Sequence, residues 1–110
     1  MALQHSQPGQ VIGVAPLGAG LREAKTSALF KAGQLELARI VLRAGESMRE
    51  HQAPGEITLQ CLEGLLELST PKGSQRLRPG ELIHLLPREP HALTAIDDSS
   101  ALLTMCLRTI

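Results

Sequence analysis

The chain has 110 residues, the length of a single domain, and its eleven basic and eleven acidic residues cancel to a formal charge of zero. Hydrophobic residues make up 43% of it, yet aromatic residues make up only 1%: one Phe, no Tyr and no Trp. The core must therefore be aliphatic. Stacking platforms for sugars or bases are not expected, and without a basic stripe neither nucleic acid nor an anionic membrane is an expected partner.

Residues 1–20 open with a polar stretch, MALQHSQPGQ, followed by VIGVAPLGAG. The first reads as a tail. The second reads as a short apolar strand ended by Pro16 and its glycines, which could cross to a partner chain. LREAK has room for one helical turn. From Thr26 onward, short apolar runs recur at the 8–12 residue spacing of sandwiches and barrels. TSALFK and LELARIVLR flank a turn at Ala32-Gly33. MREHQ is a short extended piece, and Pro54-Gly55 turns into EITLQCL. In that run Ile57, Leu59 and Cys61 share one face, with Thr58 and Gln60 on the other. LLELS follows Gly64, and Pro71-Lys72-Gly73 marks a hairpin into GSQRLR, a polar, edge-like strand. ELIHLL reads as buried. HALTAI and ALLTMCLRTI complete about nine strands. With no convincing long helix, the class is all-β, a sandwich or closed barrel spanning residues 21–110.

Cys61 and Cys106 both sit in apolar runs and read as buried, reduced thiols used as small hydrophobes. The N-terminus lacks a basic region followed by an apolar one, and no apolar run approaches the ~20 residues of a membrane span. A cytoplasmic protein is expected. LARIVL and ALLTMCLR are apolar on both faces, more than a chain this size can bury alone, which points to a homodimer.

Two segments carry histidines between turn residues and apolar runs. GESMREHQAPGEITLQCLEG, residues 45–64, contains His51; PGELIHLLPREPHAL, residues 79–93, contains His91. Their spacing resembles the two motifs of small single-domain cupins, with a short hairpin over residues 65–79 between them. Gly45, Gly64, Gly80 and Pro90 stand where that family has them. The resemblance implies a double-stranded β-helix, or jelly-roll barrel, in which three His and one Glu hold a metal on the inner wall. His51 and His91 match two of these ligands. Ala53 stands at the position of the other His, and Ile57 at that of the Glu. Leu86 and Arg88 replace a Pro and a Gly of the second motif.

A stable site usually needs at least three protein ligands. His84, Gln60 and Glu56 are further candidates for a divalent transition metal such as Fe, Mn, Ni or Zn. Strand alternation turns Glu56 and Gln60 away from the face of Ile57. Ala53, Ile57 and Arg88 are expected around the pocket; an inward Arg88 would suit a carboxylate. Three functions remain open: a small-molecule binding protein with its pocket marked by His51 and His91; a metal-dependent dioxygenase, isomerase or decarboxylase acting on a small organic acid or polyol; or a structural or regulatory barrel with a vestigial pocket.

Overall fold

The computed structural model describes residues 5–51 and 53–108, with residues 50 and 51 described by their backbone alone. Nine strands form among them: β1 (Ser27–Lys31), β2 (Leu35–Leu42), β3 (Ser47–His51), β4 (Ile57–Glu63), β5 (Leu66–Thr70), β6 (Gly73–Leu77), β7 (Leu82–Leu85), β8 (His91–Ala95) and β9 (Ser99–Cys106). They build two antiparallel sheets, ordered β1-β2-β9-β4-β7 and β3-β8-β5-β6. No helix among the described residues is long and apolar enough to cross a membrane.

The alternation along β4 decides what lies inside. Ile57, Leu59 and Cys61 are buried and face the other sheet, while Thr58 and Gln60 are half-buried on the outer face. Their inward neighbours on β9 are Leu103 and Ala101, which pair in turn with Ala38 and Ile40 of β2. Leu66, Leu68, Leu93 and Ala95 close the core from the four-stranded sheet. The core is aliphatic, as the composition requires. Two expectations fail. β7 is an edge strand, so its run is not buried: Leu82 is 57% exposed and only Leu85 is enclosed. Cys61 is buried, and burial foremost pushes its thiol up, but Cys106 is exposed at the end of β9; both are free thiols.

The VIGVAP segment forms no strand; a 3-10 turn, Gly18–Glu23, follows it. Residues 5–17 instead make a strap on the outer face of the five-stranded sheet of their own chain. Arg39, buried there, donates from Nη1 to the Ala15 carbonyl (3.0 Å) and from Nη2 to that of Gly13 (3.4 Å). The Glu63 carboxylate accepts the N–H groups of Leu17 (2.8 Å) and Gly18 (3.0 Å) and the Ser100 hydroxyl. The strap thus covers outer-face groups of β2, β4 and β9. Burial alone would raise the Glu63 pKa. The Ser100 hydroxyl, the two N–H groups and the nearby Arg39 charge outweigh it and hold the carboxyl below its ordinary range.

Gly64 ends β4 with a φ of +85°. It lies against the Asp98 carbonyl and Ser99, where a Cβ would collide with backbone. Ser99 Oγ accepts the Leu65 N–H (3.0 Å) and donates to the Asp97 carbonyl (2.6 Å), pinning this corner between the sheets.

Two outcomes follow. Gly64→Ala is expected to lose about 3 kcal/mol or more of stability, read from the urea midpoint, because both the conformation and the space are denied. Glu63→Gln is expected to cost about 1.5 kcal/mol at pH 7, the scale of hydrogen bonds to a charged acceptor. Since the folded-state pKa of Glu63 is lowered, its stabilisation is full above the unfolded value of about 4.3 and is lost as pH falls through the folded value. The difference between wild type and Glu63→Gln should therefore shrink as urea titrations move from pH 7 to pH 3.

Candidate functional site

Between the sheets, Ile40, Met48, Ile57, Leu59, Leu93 and Leu103 enclose a cavity of about 10 Å³ with His91 on its wall. That is room for about one water. His91 opens β8, and alternation puts it on the same face as Leu93 and Ala95, so it is buried at 4% exposure. Its Nδ1 lies 3.0 Å from the Glu89 carbonyl. A carbonyl only accepts, so Nδ1 carries a proton in that contact, which fixes the orientation of the ring.

The backbone register sets His51 directly opposite His91 across β3 and β8, after an irregularity between Met48 and His51. The side chain of His51 lies outside the described residues. Ala53 and Ile57 are both buried, and Ile57 shares the cavity wall with His91. The position matched to a metal-binding Glu is therefore part of the hydrophobic core.

The further ligand candidates lie elsewhere. His84 pairs with Thr58, one step out of phase with Ile57 and Leu85, and so faces outward. Its Nε2–H donates to Glu56 Oε1 at 2.6 Å, and both side chains are 55% exposed. Gln60 shares that outer face. Arg88 is also exposed rather than pocket-lining. Its backbone explains its place in the motif: φ is +60°, so an Arg occupies the left-handed conformation that a glycine would take without strain. The Arg88 N–H donates to the Ala53 carbonyl at 2.8 Å, joining the loops on either side of the site through main chain.

The donor set does not fit a resident transition metal. Two of the four matched positions are buried hydrocarbon, and among the described residues no three His, Cys, Asp or Glu side chains cluster closely enough to hold an ion. Met48 and Leu93, which face each other across β3 and β8, were missed from the sequence as wall residues. The two-residue step from His91 to Leu93 was the available signal for one of them.

A jelly roll of two antiparallel sheets, closed over an aliphatic interior with the buried His91 on its wall, defines a cupin-fold barrel. Solved structures agree. A cupin superfamily protein from Desulfitobacterium hafniense has a TM-score of 0.73 at 17% identity, with 76% of each chain covered. A conserved protein of unknown function from Streptococcus pyogenes reaches 0.75 at 19% identity, over 100% of this chain and 97% of that one. The DMSP lyase DddQ from Ruegeria pomeroyi gives 0.69 at 25% identity, over 87% of this chain but 54% of its own. No protein-family model matches the sequence, and no curated protein matches it. The chain has the cupin fold, and its fold relatives include an enzyme and a protein of unknown function.

His84→Ala is expected to change stability by no more than about 1 kcal/mol, as for other exposed ion pairs. His91→Ala, which empties a buried position, should cost about 2 kcal/mol or more. Urea midpoints of the two variants test the assignment of outer and inner faces.

Proposed function

We propose that this chain is a cupin-fold binding protein without a resident metal, taking a small, mainly apolar molecule in the barrel cavity whose wall carries His91. The observation that carries this reading is that, among the described residues, His91 is the one polar side chain on a cavity wall otherwise built of Ile, Leu and Met. An apolar pocket with a single fixed polar group is the usual design of a small-molecule site. A ligand larger than water would have to displace Met48, the unbranched and adaptable member of the wall.

The cavity volume of about 10 Å³ favours a second reading, in which the barrel is a scaffold and its interior a vestigial pocket. Either reading includes a homodimer. Leu82, 57% exposed, and half-buried Leu102 flank Gln60 on the outer face of the five-stranded sheet, which supports it. A monomer in sedimentation equilibrium would sink that part.

Thermal melts across a panel of small alcohols, amides and hydroxy acids test the first reading. A ligand at one hundred times its Kd stabilises the native state by about 2.7 kcal/mol, a rise in Tm of roughly 10 °C or more in a domain this size. The rise should vanish in His91→Gln and grow in Met48→Ala. A panel that moves neither wild type nor Met48→Ala leaves the scaffold reading. Metal is measured in parallel on protein purified without added ions. Near-stoichiometric Fe, Mn, Ni or Zn, lost in both His51→Ala and His91→Ala, would establish the metal-dependent enzyme in place of both readings.

A further inference from the structure

The two sheets end in four edge strands, β1 and β7 of one and β3 and β6 of the other. An unpaired edge offers a row of free N–H and carbonyl groups, and folded proteins normally blunt it with a bulge, a charge, a proline or a covering segment. Three of these edges are blunted. β1 carries an irregularity between Ala28 and Phe30, and its Leu29 carbonyl accepts the Ser6 N–H of the strap (2.9 Å), beside a cleft of about 300 Å³ that the strap leaves open. β3 has its irregularity between Met48 and His51. β6 is polar and exposed along most of its length and includes Arg76. β7 has none of these devices. Its pairing with β4 runs from Leu82 to Leu85 without interruption, and LIHL holds no proline and no Lys, Arg, Asp or Glu.

The hydrogen-bond pattern fixes which main-chain groups of β7 are free. The Cys61 N–H donates to the Glu81 carbonyl (2.9 Å), and antiparallel ladders alternate. Glu81, Ile83 and Leu85 therefore turn their main chain toward β4, while Leu82 and His84 turn theirs to the open side. A cleft of about 210 Å³ runs beside this edge, lined by Ile83, His84 and Leu85 of the strand and by Lys72 and Gln75 of the β5–β6 hairpin. Nothing among the described strands covers it.

This edge is complementary to itself. In an antiparallel pair about a two-fold axis at Ile83, Leu82 faces His84 of a second copy, and each free N–H and carbonyl of these residues finds a partner. Leu82, 57% exposed, gains a neighbour, and half-buried Ile83 packs on its own copy. The same register sets Glu81 opposite Leu85 of the second copy. Glu81 lies on the Ile83 and Leu85 side of the strand, close enough to Cys61 to help raise its thiol pKa. It thus arrives at the cleft that Lys72 of the second copy lines. Lys72 is exposed and has no ion pair among the described residues, so an acid meets a free base at both ends of the axis.

We propose that two copies of this chain pair edge to edge along β7, joining their five-stranded sheets into one. This pairing rests on the homodimer proposed above and gives it a register.

Sedimentation equilibrium of the full chain reads the association, and amide hydrogen exchange followed by NMR reads the edge. A dimer is expected in which the Leu82 and His84 amides are protected, with the protection fading on dilution. Glu81→Lys and Lys72→Glu each set like charges together and should weaken association about tenfold. The double variant restores opposite charges and should return to within about threefold of wild type. Leu82→Pro removes a donor that the β4 ladder does not use, and should leave a folded monomer. The charge exchange keeps the test independent of whether the proline variant folds. A dimer whose Leu82 and His84 amides exchange freely, or one that the charge exchange does not move, would overturn the edge pairing and leave the homodimer standing on another face. A monomer at NMR concentrations would overturn both.

Discussion

The eight-residue antiparallel register between β2 and β9, continued from β9 into β4, settles which side chains of these three strands face the inside of this barrel. A strand has a side-chain period of two, so a slip of one residue would exchange inside for outside along its length. In the observed register Ile40, Ala101 and Cys61 share the inner face, and Arg39, Leu102 and Gln60 share the outer one. The corner at Gly64 and Ser99 holds that register, because Ser99 bridges the turn after β4 to the turn before β9. The interior cavity, the outward His84 and the strap all follow from it.

The register also explains what became of the site that the motif spacing suggests. Ile57 sits at the position that the motif spacing matches to a Glu, and the register aims its hydrocarbon side chain into the core beside His91. Burying an ionised carboxylate there without a metal or other partner would cost several kcal/mol, whereas burying Ile contributes roughly 1.5–3 kcal/mol. Ile57 packs in the core without needing a charged partner. Its consequence is a closed interior: aliphatic side chains packed to ordinary protein density leave about 10 Å³ beside His91.

Much of this was legible in the residues. The alternation of EITLQCL gave both faces of β4, and Pro71-Lys72-Gly73 marked the β5–β6 hairpin at its observed place. The glycines of the motif spacing, Gly45, Gly64 and Gly80, all adopt positive φ, so their positions record a backbone requirement. Arg88 shows the limit of that signal, since it holds such a conformation without being glycine. ELIHLL misled because an apolar run looks alike in a central strand and an edge strand; only the pairing partners tell them apart. VIGVAP misled for a different reason. Its place is fixed by Arg39, which binds its carbonyls, and by Glu63, which binds the N–H groups of Leu17 and Gly18 just after it, and main-chain groups are the same in every sequence.

That last point bears on how the fold divides its labour. Arg39 and Glu63 are charged groups on an outer sheet face, and without residues 13–18 over them they would lose their main-chain partners there. A partly buried charge stripped of its partners is costly, so the strap is specified as firmly by these groups as a strand is by its ladder. Yet they grip only one stretch of it. Residues 7–12 span the gap between anchors, and the space beneath them is what the anchoring leaves over. In the barrel, close packing removes volume; under the strap, a few directional hydrogen bonds preserve it. A chain that has filled its interior with hydrocarbon has in this way kept a larger and more open cavity on its outside, built from main-chain anchors that tolerate variation in the side chains between them.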